Sequence, residues 1–389
     1  MAVAPASLEA LAAPSTEAAV IPRIRRYVTL GRTGLEVSEI GFGSASSHDP
    51  DLVRHALDRG VTFFDTAESY RFGWSEEAIA EGLRGMRDRV VLSSKTKAGA
   101  RDTRDDMMRA LDGSLRRLRT DYLDIYFNHA VNDVARLQNS EWQAFTERAK
   151  AQGKVRFCGM SGHGSRLAES LDYAIEHDLV DVILVAYSFA QDPDFLDRLR
   201  HTFHFVALQP ELPRALDRAK AKGIGVIAMK TLMGARLNDM RPYERQGGTF
   251  AQAAFRWVLS SPRVDALLIS MTSTERIDEY VAGSGDPQVR GEDLRLLDRY
   301  ADLQSARYCR PGCGSCAGAC PEKVEIAEVL RTRMYAVDYG DPALAVEDYA
   351  KLGAGASACL ACAHQACLDA CPYGLPIPDL TRDAATRLG

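Results

Sequence analysis

The 389-residue chain has nine cysteines, yet only one of them, Cys158, falls in the first 300 residues. That scarcity excludes a disulfide framework for the bulk of the protein. No apolar run approaches the roughly 18 residues needed to cross a bilayer, so no membrane contact is expected. Basic residues are not in excess: the net charge is −5, the pI is near 6.0, and no basic stripe stands out. This argues against a general nucleic-acid binder. The N-terminus, MAVAPASLEALAAPSTEAAVIP, has no basic n-region and carries Glu9 and Glu17. It reads as a disordered tail over residues 1–26, not as a signal peptide. Arg25 and Arg26 form a twin-arginine pair, but YVTLGRTGLEV follows where an export signal needs an apolar segment. A cytoplasmic location is expected.

What is present is a long alternation. Eight short apolar runs, VSEIGFGS, VTFFDTA, RVVLSSKT, YLDIYFNH, VRFCGMSG, DVILVAY, IGVIAMK and VDALLIS, are each followed by a helical pattern such as SEEAIAEGLRG or TFAQAAFRWVLSS. Runs apolar on both faces suit a parallel sheet covered on both sides. Eight strand–helix units in about 250 residues predict a closed (β/α)8 TIM barrel, placed at residues 27–290. An open doubly wound sheet is the alternative, but no G-x-G-x-x-G follows the first strand.

In such barrels the chemistry sits at the C-terminal strand ends. Asp65 ends the second strand, Tyr70 follows it in DTAESY, Lys95 ends the third and His129 ends the fourth. Taken singly, an Asp–Lys pair is a salt bridge and a histidine a core residue. Together at successive strand ends, a carboxylate, a phenol, an amine and an imidazole form a proton-transfer set. Lys97 competes with Lys95, since it would share its face if the strand continued.

In order, GRTGLEVSEIGFGS, GVTFFDTAESY, SLRRLRTDYLDIYFNH and GKVRFCGMSGH resemble the aldo-keto reductases over nearly all of residues 27–283. The resemblance implies a nicotinamide-dependent carbonyl reductase or alcohol dehydrogenase. Tyr70 would be the general acid, Lys95 and Asp65 its tuning pair, and His129 the residue orienting the substrate carbonyl. The physics fits those roles, because a free phenol with pKa near 10 is a weak acid at neutral pH and a neighbouring ammonium strengthens it. For the nucleotide, the loops after strands seven and eight offer Lys230, Thr231 and Leu232, then Ser270, Thr272, Ser273 and Arg276. Arg276 could grip a 2′-phosphate, which favours NADPH. The chain departs from the family in having Ser161-Gly162-His163 and Leu184 where many members hold the carboxamide with Asn and Gln. His163 stands in for the amide partner, and Tyr187 either lines the nicotinamide pocket or packs. Arg71, Phe72 and Trp74 border the mouth or pack on the next helix, and QDPDFLDRLRHTFHFVALQPEL after strand six forms either a lid or an extra helix.

The other eight cysteines crowd the end of the chain. Cys309, Cys313, Cys316 and Cys320 run C-x3-C-x2-C-x3-C-P; Cys359, Cys362, Cys367 and Cys371 run C-x2-C-x4-C-x3-C-P. Structural zinc sites usually separate two short pairs. Compact quartets ending in Cys-Pro resemble the bacterial ferredoxin run, whose fourth thiolate crosses to the other cluster. The resemblance implies two 4Fe–4S clusters, with Cys320 serving the second and Cys371 the first; zinc is the alternative. Apolar residues at helical spacing between the quartets predict a mostly α-helical, ferredoxin-like dicluster domain over 291–389.

Three functions are consistent with this sequence. One is NADPH-dependent interconversion of a carbonyl and an alcohol, with auxiliary clusters and a redox partner protein docking at the cluster domain. Another is single-electron chemistry fed by the clusters without nicotinamide. The third is a non-catalytic redox sensor.

Overall fold

The structure, a computed structural model, describes residues 21–164, 166–191, 210–232, 240–244, 248–304, 309, 314–337, 342–353 and 355–389. Most of the expected N-terminal tail, Cys313 and nearly all of the lid segment 191–212 lie outside the described residues.

Ten strands are described: β1 (Tyr27–Thr29), β2 (Glu36–Ser38), β3 (Ile40–Gly43), β4 (Phe63–Asp65), β5 (Val91–Thr96), β6 (Leu123–Asn128), β7 (Val155–Gly162), β8 (Val182–Ala186), β9 (Gly225–Met229) and β10 (Ala266–Ser270). Strands β3 to β10 close into an all-parallel barrel in the order β10-β3-β4-β5-β6-β7-β8-β9. These are the eight apolar runs of the sequence. Their connecting helices start on local signals. Arg104–Leu118 and Phe250–Ser260 each open on a capping box, Thr103 with Asp106 and Thr249 with Gln252, which satisfies otherwise orphaned N–H groups.

Successive side chains alternate between the two sheet faces. One set, including Phe63, Val91, Ile125, Phe127, Val182, Leu184, Ile227 and Leu268, fills the barrel interior. The other, including Phe64, Leu92, Tyr126, Met160, Ile183 and Val226, packs under the helices. The antiparallel pair β1–β2 adds Leu30, Leu35 and Val37 to the interior set and plugs the barrel's N-terminal end. Its turn passes Gly31, where a Cβ would sit 2.3 Å from the Gly223 carbonyl oxygen. Only glycine permits that approach.

Two expected boundaries are corrected. Residues 21–26 were expected in the tail, but Ile24 is buried and its N–H bonds to the Arg59 carbonyl at 2.8 Å. Arg25 donates to Ser284 O at 2.7 Å, and Arg26 pairs with Glu39 at 3.2 Å. The twin arginines thus tie the chain start to the barrel. The helix Gly291–Gln304 was expected to open the tail domain. Instead Leu297 and Tyr300 join the barrel's outer core, and Asp293 forms a fully buried pair with Arg256.

A second core begins beyond that helix. Val324, Val329, Leu330, Tyr335, Tyr349, Leu375, Ile377 and Ala384 hold together the helices Ile326–Val337, Pro342–Ala350 and Ile377–Leu388. Among the described residues, no helix is long and apolar enough to cross a membrane.

Candidate active site

The barrel's inward alternation runs from apolar to polar along each strand. Phe63 is followed two positions later by Asp65, Val91 by Ser93 and Lys95, and Ile125 by Phe127 and then His129. Cross-strand register sets Asp65 opposite Ser93 and Lys95 opposite Phe127. The polar ends therefore converge at the C-terminal mouth.

Lys95, almost fully buried, donates to Asp65 Oδ2 at 2.5 Å and to the Thr66 carbonyl at 2.7 Å. Ser93 Oγ donates to the other Asp65 oxygen at 2.6 Å. Burial pulls the Lys95 pKa below its ordinary value and pushes that of Asp65 up, each opposed by the other's charge. Tyr70 lies with its hydroxyl 3.5 Å from Lys95 Nζ. The His129 ring meets the Tyr70 ring edge-on, centroids 5.5 Å apart. His129 is held well below its ordinary pKa by burial first, and then by Lys95, Lys97, His163 and Arg136. It is a neutral imidazole at neutral pH, with Nδ1 3.4 Å from Ser69 Oγ. Arg136, which sequence reading overlooked, clamps the loop behind it. Its guanidinium donates to Asn128 Oδ1, His129 O, Ala130 O and Ala98 O at 2.5–2.9 Å.

The nucleotide candidates fall into three strand-end groups. Ser161 and Gly162 end β7, and Ser161 Oγ accepts from Ala130 N at 3.0 Å. Lys230, Thr231 and Leu232 follow β9; the buried Thr231 hydroxyl has no hydrogen-bond partner among the described residues. Ser270 closes β10, Thr272 is exposed, and Ser273 caps the helix Thr274–Ala282 by accepting from Arg276 N at 3.2 Å. The exposed Arg276 side chain pairs with Glu279 at 2.7 Å. Tyr187 does not join these groups. Its ring packs on Trp257 at 5.7 Å and its hydroxyl reaches Ser261 at 3.4 Å, under the helices. Leu184 faces the interior. Phe72 and Trp74 are exposed beside Tyr70, and Arg71 and Phe72 adopt left-handed backbone angles.

The largest feature missing from the sequence reading is that the C-terminal helices sit on this mouth. Tyr335 is hydrogen-bonded through its hydroxyl to His163 Nδ1, and Lys230 Nζ stands 4.1 Å above its ring. Lys97 forms an ion pair with Glu347. Arg331, buried, donates to Tyr335 Oη at 2.9 Å, Glu328 at 2.7 Å and Asp348 at 3.1 Å. Burial lowers the pKa of His163 well below normal, helped by Lys230, Arg331 and Lys97, and it raises that of the Tyr335 phenol. No spacing rule announces a contact between residues 172 positions apart.

The described cysteines of the tail, Cys309, Cys316, Cys320, Cys359, Cys362, Cys367 and Cys371, are all half-buried. Among the described residues no three His, Cys, Asp or Glu side chains are placed to hold a metal ion. Burial pushes the Cys367 thiol pKa up, and the nearby Cys320, Cys359 and Cys362 push in the same direction. Arg382 donates to the carbonyls of Cys359 and Cys362 at 3.2 and 3.4 Å. Cys158 lies buried under the helices, its thiol pushed up to about 12 by desolvation, as suits an inert packing residue.

Comparison with known proteins agrees with the geometry. The chain is 26% identical over 306 residues to L-galactose dehydrogenase of Arabidopsis thaliana, covering 69% of this chain and 91% of that one. It is 22% identical over 320 residues to L-glyceraldehyde 3-phosphate reductase of Escherichia coli O157:H7, covering 71% and 92%. Among solved structures, an aldo-keto reductase from Klebsiella pneumoniae in complex with NADPH superposes with a TM-score of 0.54 at 28% identity, covering 73% and 96%. The Aldo/keto reductase family model matches residues 39–299, the whole barrel from β3 onward together with most of its last helix. With the mouth residues and this match in agreement, the chain is an oxidoreductase belonging to the aldo/keto reductase family.

Proposed function

We propose that the protein is an NADPH-dependent oxidoreductase that interconverts an aldehyde or ketone and its alcohol at the barrel mouth, with two 4Fe–4S clusters in its C-terminal domain. The observation that carries the first half is the Tyr70–Lys95–Asp65 line, 3.5 and 2.5 Å between successive polar atoms, with His129 against the phenol. A bound nicotinamide supplies or accepts the hydride. Tyr70 holds the proton that the carbonyl oxygen takes up, and the Lys95 ammonium beside it favours phenolate once that proton leaves. Asp65 offsets the burial of that ammonium. His129, neutral, offers a ring N–H to the developing oxyanion, an interaction typically worth roughly 3–4 kcal/mol.

The residues at hand fit the nucleotide. Thr231 carries a buried hydroxyl in want of a partner, and a hydroxyl that accepts one bond, as Ser161 does, still has its proton to donate. Ser270, Thr272 and Ser273 line the start of the helix that carries Arg276. That guanidinium, now on Glu279, is exposed and can turn to a 2′-phosphate, an arrangement that supports NADPH over NADH. The Klebsiella relative was solved with NADPH.

For the clusters, the donor chemistry fits. Cys320, from the first quartet, lies close enough to Cys367 of the second to act on it electrostatically, as Cys359 and Cys362 do, which supports the crossing implied by the Cys-Pro endings. Cubane clusters move single electrons, so the tail suits docking of a redox partner protein. Cysteines in such number, used as ligands rather than in disulfides, suit the reducing cytoplasm.

Anaerobically purified protein should contain about eight irons per chain and consume NADPH with simple aldehydes or ketones. Tyr70→Phe should lower turnover by roughly 10²–10⁴-fold while NADPH still binds. Stoichiometric zinc would end the cluster reading. Turnover driven by dithionite in protein that binds no nicotinamide would replace the hydride reading with single-electron chemistry. An undiminished physiological effect in a Tyr70→Phe, Lys95→Met variant would instead identify a sensor.

A further inference from the structure

We infer that Tyr335, from the C-terminal helices, is a positioning residue of the nucleotide site: it fixes His163 as the tautomer whose Nε2–H is free to donate to the nicotinamide carboxamide. The inference rests on the cofactor reading above and deepens it.

The argument is one of donors and acceptors. Arginine can only donate, so the 2.9 Å contact from Arg331 fills one lone pair of Tyr335 Oη. Arg331 is itself fixed by Glu328 and Asp348 at 2.7 and 3.1 Å. With that lone pair filled, we assign the phenol's own proton to its contact with His163 Nδ1. A neutral imidazole that accepts at Nδ1 carries its hydrogen at Nε2. The edge-on ring geometry, centroids 4.9 Å apart at 84°, fixes the ring plane as well as the tautomer. The Lys230 ammonium over the Tyr335 ring holds the phenol from the barrel side. The family's usual carboxamide partners are side-chain amides, which need no tautomer choice. A histidine at that place does, and here the C-terminal domain makes it.

The test uses the full-length, iron-replete protein and two ligands, NADPH and 2′-phospho-ADP-ribose, which lacks the nicotinamide. Tyr335→Phe keeps the ring and removes the hydroxyl. It should weaken NADPH binding about tenfold, the effect of losing one oriented hydrogen bond, and leave 2′-phospho-ADP-ribose affinity unchanged. His163→Gln carries an amide donor of its own, so adding Tyr335→Phe to it should weaken NADPH no further. Equal weakening of both ligands would make Tyr335 a merely structural residue and overturn the inference. So would wild-type NADPH affinity in Tyr335→Phe, or a full tenfold further loss in the His163→Gln background. Failure of the wild type to bind NADPH at all would be a separate result, removing the cofactor reading itself.

Discussion

The barrel carries its polar residues on or just beyond strands, whereas the C-terminal domain carries its described thiols on turns and short helical segments, Cys359 in Ser357–Leu360 and Cys367 in Ala366–Asp369. Asp65, Lys95 and His129 are buried, and their spacing follows from the parallel hydrogen-bond register of β4, β5 and β6. Nothing beyond the polypeptide is needed to bring them together. The described tail cysteines are half-buried near a small core, and their mutual placement is not fixed by a sheet. A preorganised site suits proton transfer, where small displacements cost rate. A site on turns suits ligands that complete the fold on binding. Yet the two regions are not independent, because the Arg331–Tyr335–His163 chain joins them at the mouth.

The sharpest way to break the barrel half of this contrast is Lys95→Met. It removes the ammonium from Tyr70 and leaves Asp65 buried without its counter-charge. Carbonyl reduction should fall by roughly 10²–10⁴-fold, and unfolding in denaturant should show a loss of about 3–5 kcal/mol. Adding Asp65→Asn should return much of that stability and none of the activity. A double variant as unstable as the single one would mean that the pair does not hold the site together.

On the proposed cluster reading, iron removal tests the other half. Chelation under reducing conditions should expose the chain beyond Gln304 to protease while the fragment carrying β1 to β10 and the helix Gly291–Gln304 survives. The crossing of the quartets can be read separately. Cys320→Ser and Cys362→Ser should each cost about four of about eight irons and leave the same residual cluster spectrum. Different residual spectra would place Cys320 with its own quartet instead.

The barrel was legible in the sequence because its physics is local and periodic. Alternation of two placed Phe63 and Asp65, Val91 and Lys95, Ile125 and His129 on common faces, and strand ends are where a barrel's chemistry must sit. The outer faces were left open where a side chain could go either way: of the two readings for Tyr187, pocket lining or packing, its ring packs on Trp257 under the helices. The twin arginines at residues 25 and 26 gave no sign that they anchor on Ser284 and Glu39. Helix Gly291–Gln304 was given to the wrong core because its partner, Arg256, lies in the helix Phe250–Ser260, more than thirty residues earlier. Likewise Tyr335 and Arg331 sat in an ordinary amphipathic stretch. A buried arginine on such a helix looks like a solvated one until the surface that covers it is known.

Burial of two histidines at the mouth adds a pH dependence that the tail can modulate. His129 and His163 both titrate well below their ordinary range in the folded protein. Between the folded and unfolded pKa values the unfolded chain takes up a proton that the native chain refuses. Their contribution to stability is therefore complete above about pH 6.5 and is lost as pH falls through the folded pKa. His163→Gln should flatten the slope of unfolding free energy against pH by up to about 1.4 kcal/mol per pH unit between the folded and unfolded pKa values. An unchanged slope would mean that His163, despite Lys97, Lys230, Arg331 and Tyr335 around it, is already protonated in the folded protein.

The smallest effect is expected at Lys97, and its size is informative because Lys97 follows Lys95 by two residues, one position beyond the end of β5. Lys97 pairs across to Glu347 of the C-terminal domain, whose carboxylate side chain is 45% exposed. Water reaches the carboxylate side of this pair while the lysine side chain is 16% exposed, so Lys97→Met should cost about 1 kcal/mol in unfolding experiments. Carbonyl reduction should stay within about twofold of wild type, since the ammonium that touches Tyr70 is untouched. Two methionine substitutions, two residues apart and chemically identical, would thus differ by orders of magnitude in rate. If Lys97→Met were instead as damaging as Lys95→Met, the contact between barrel and tail would carry the chemistry, and the division of labour between strands and turns would have to be redrawn around Glu347.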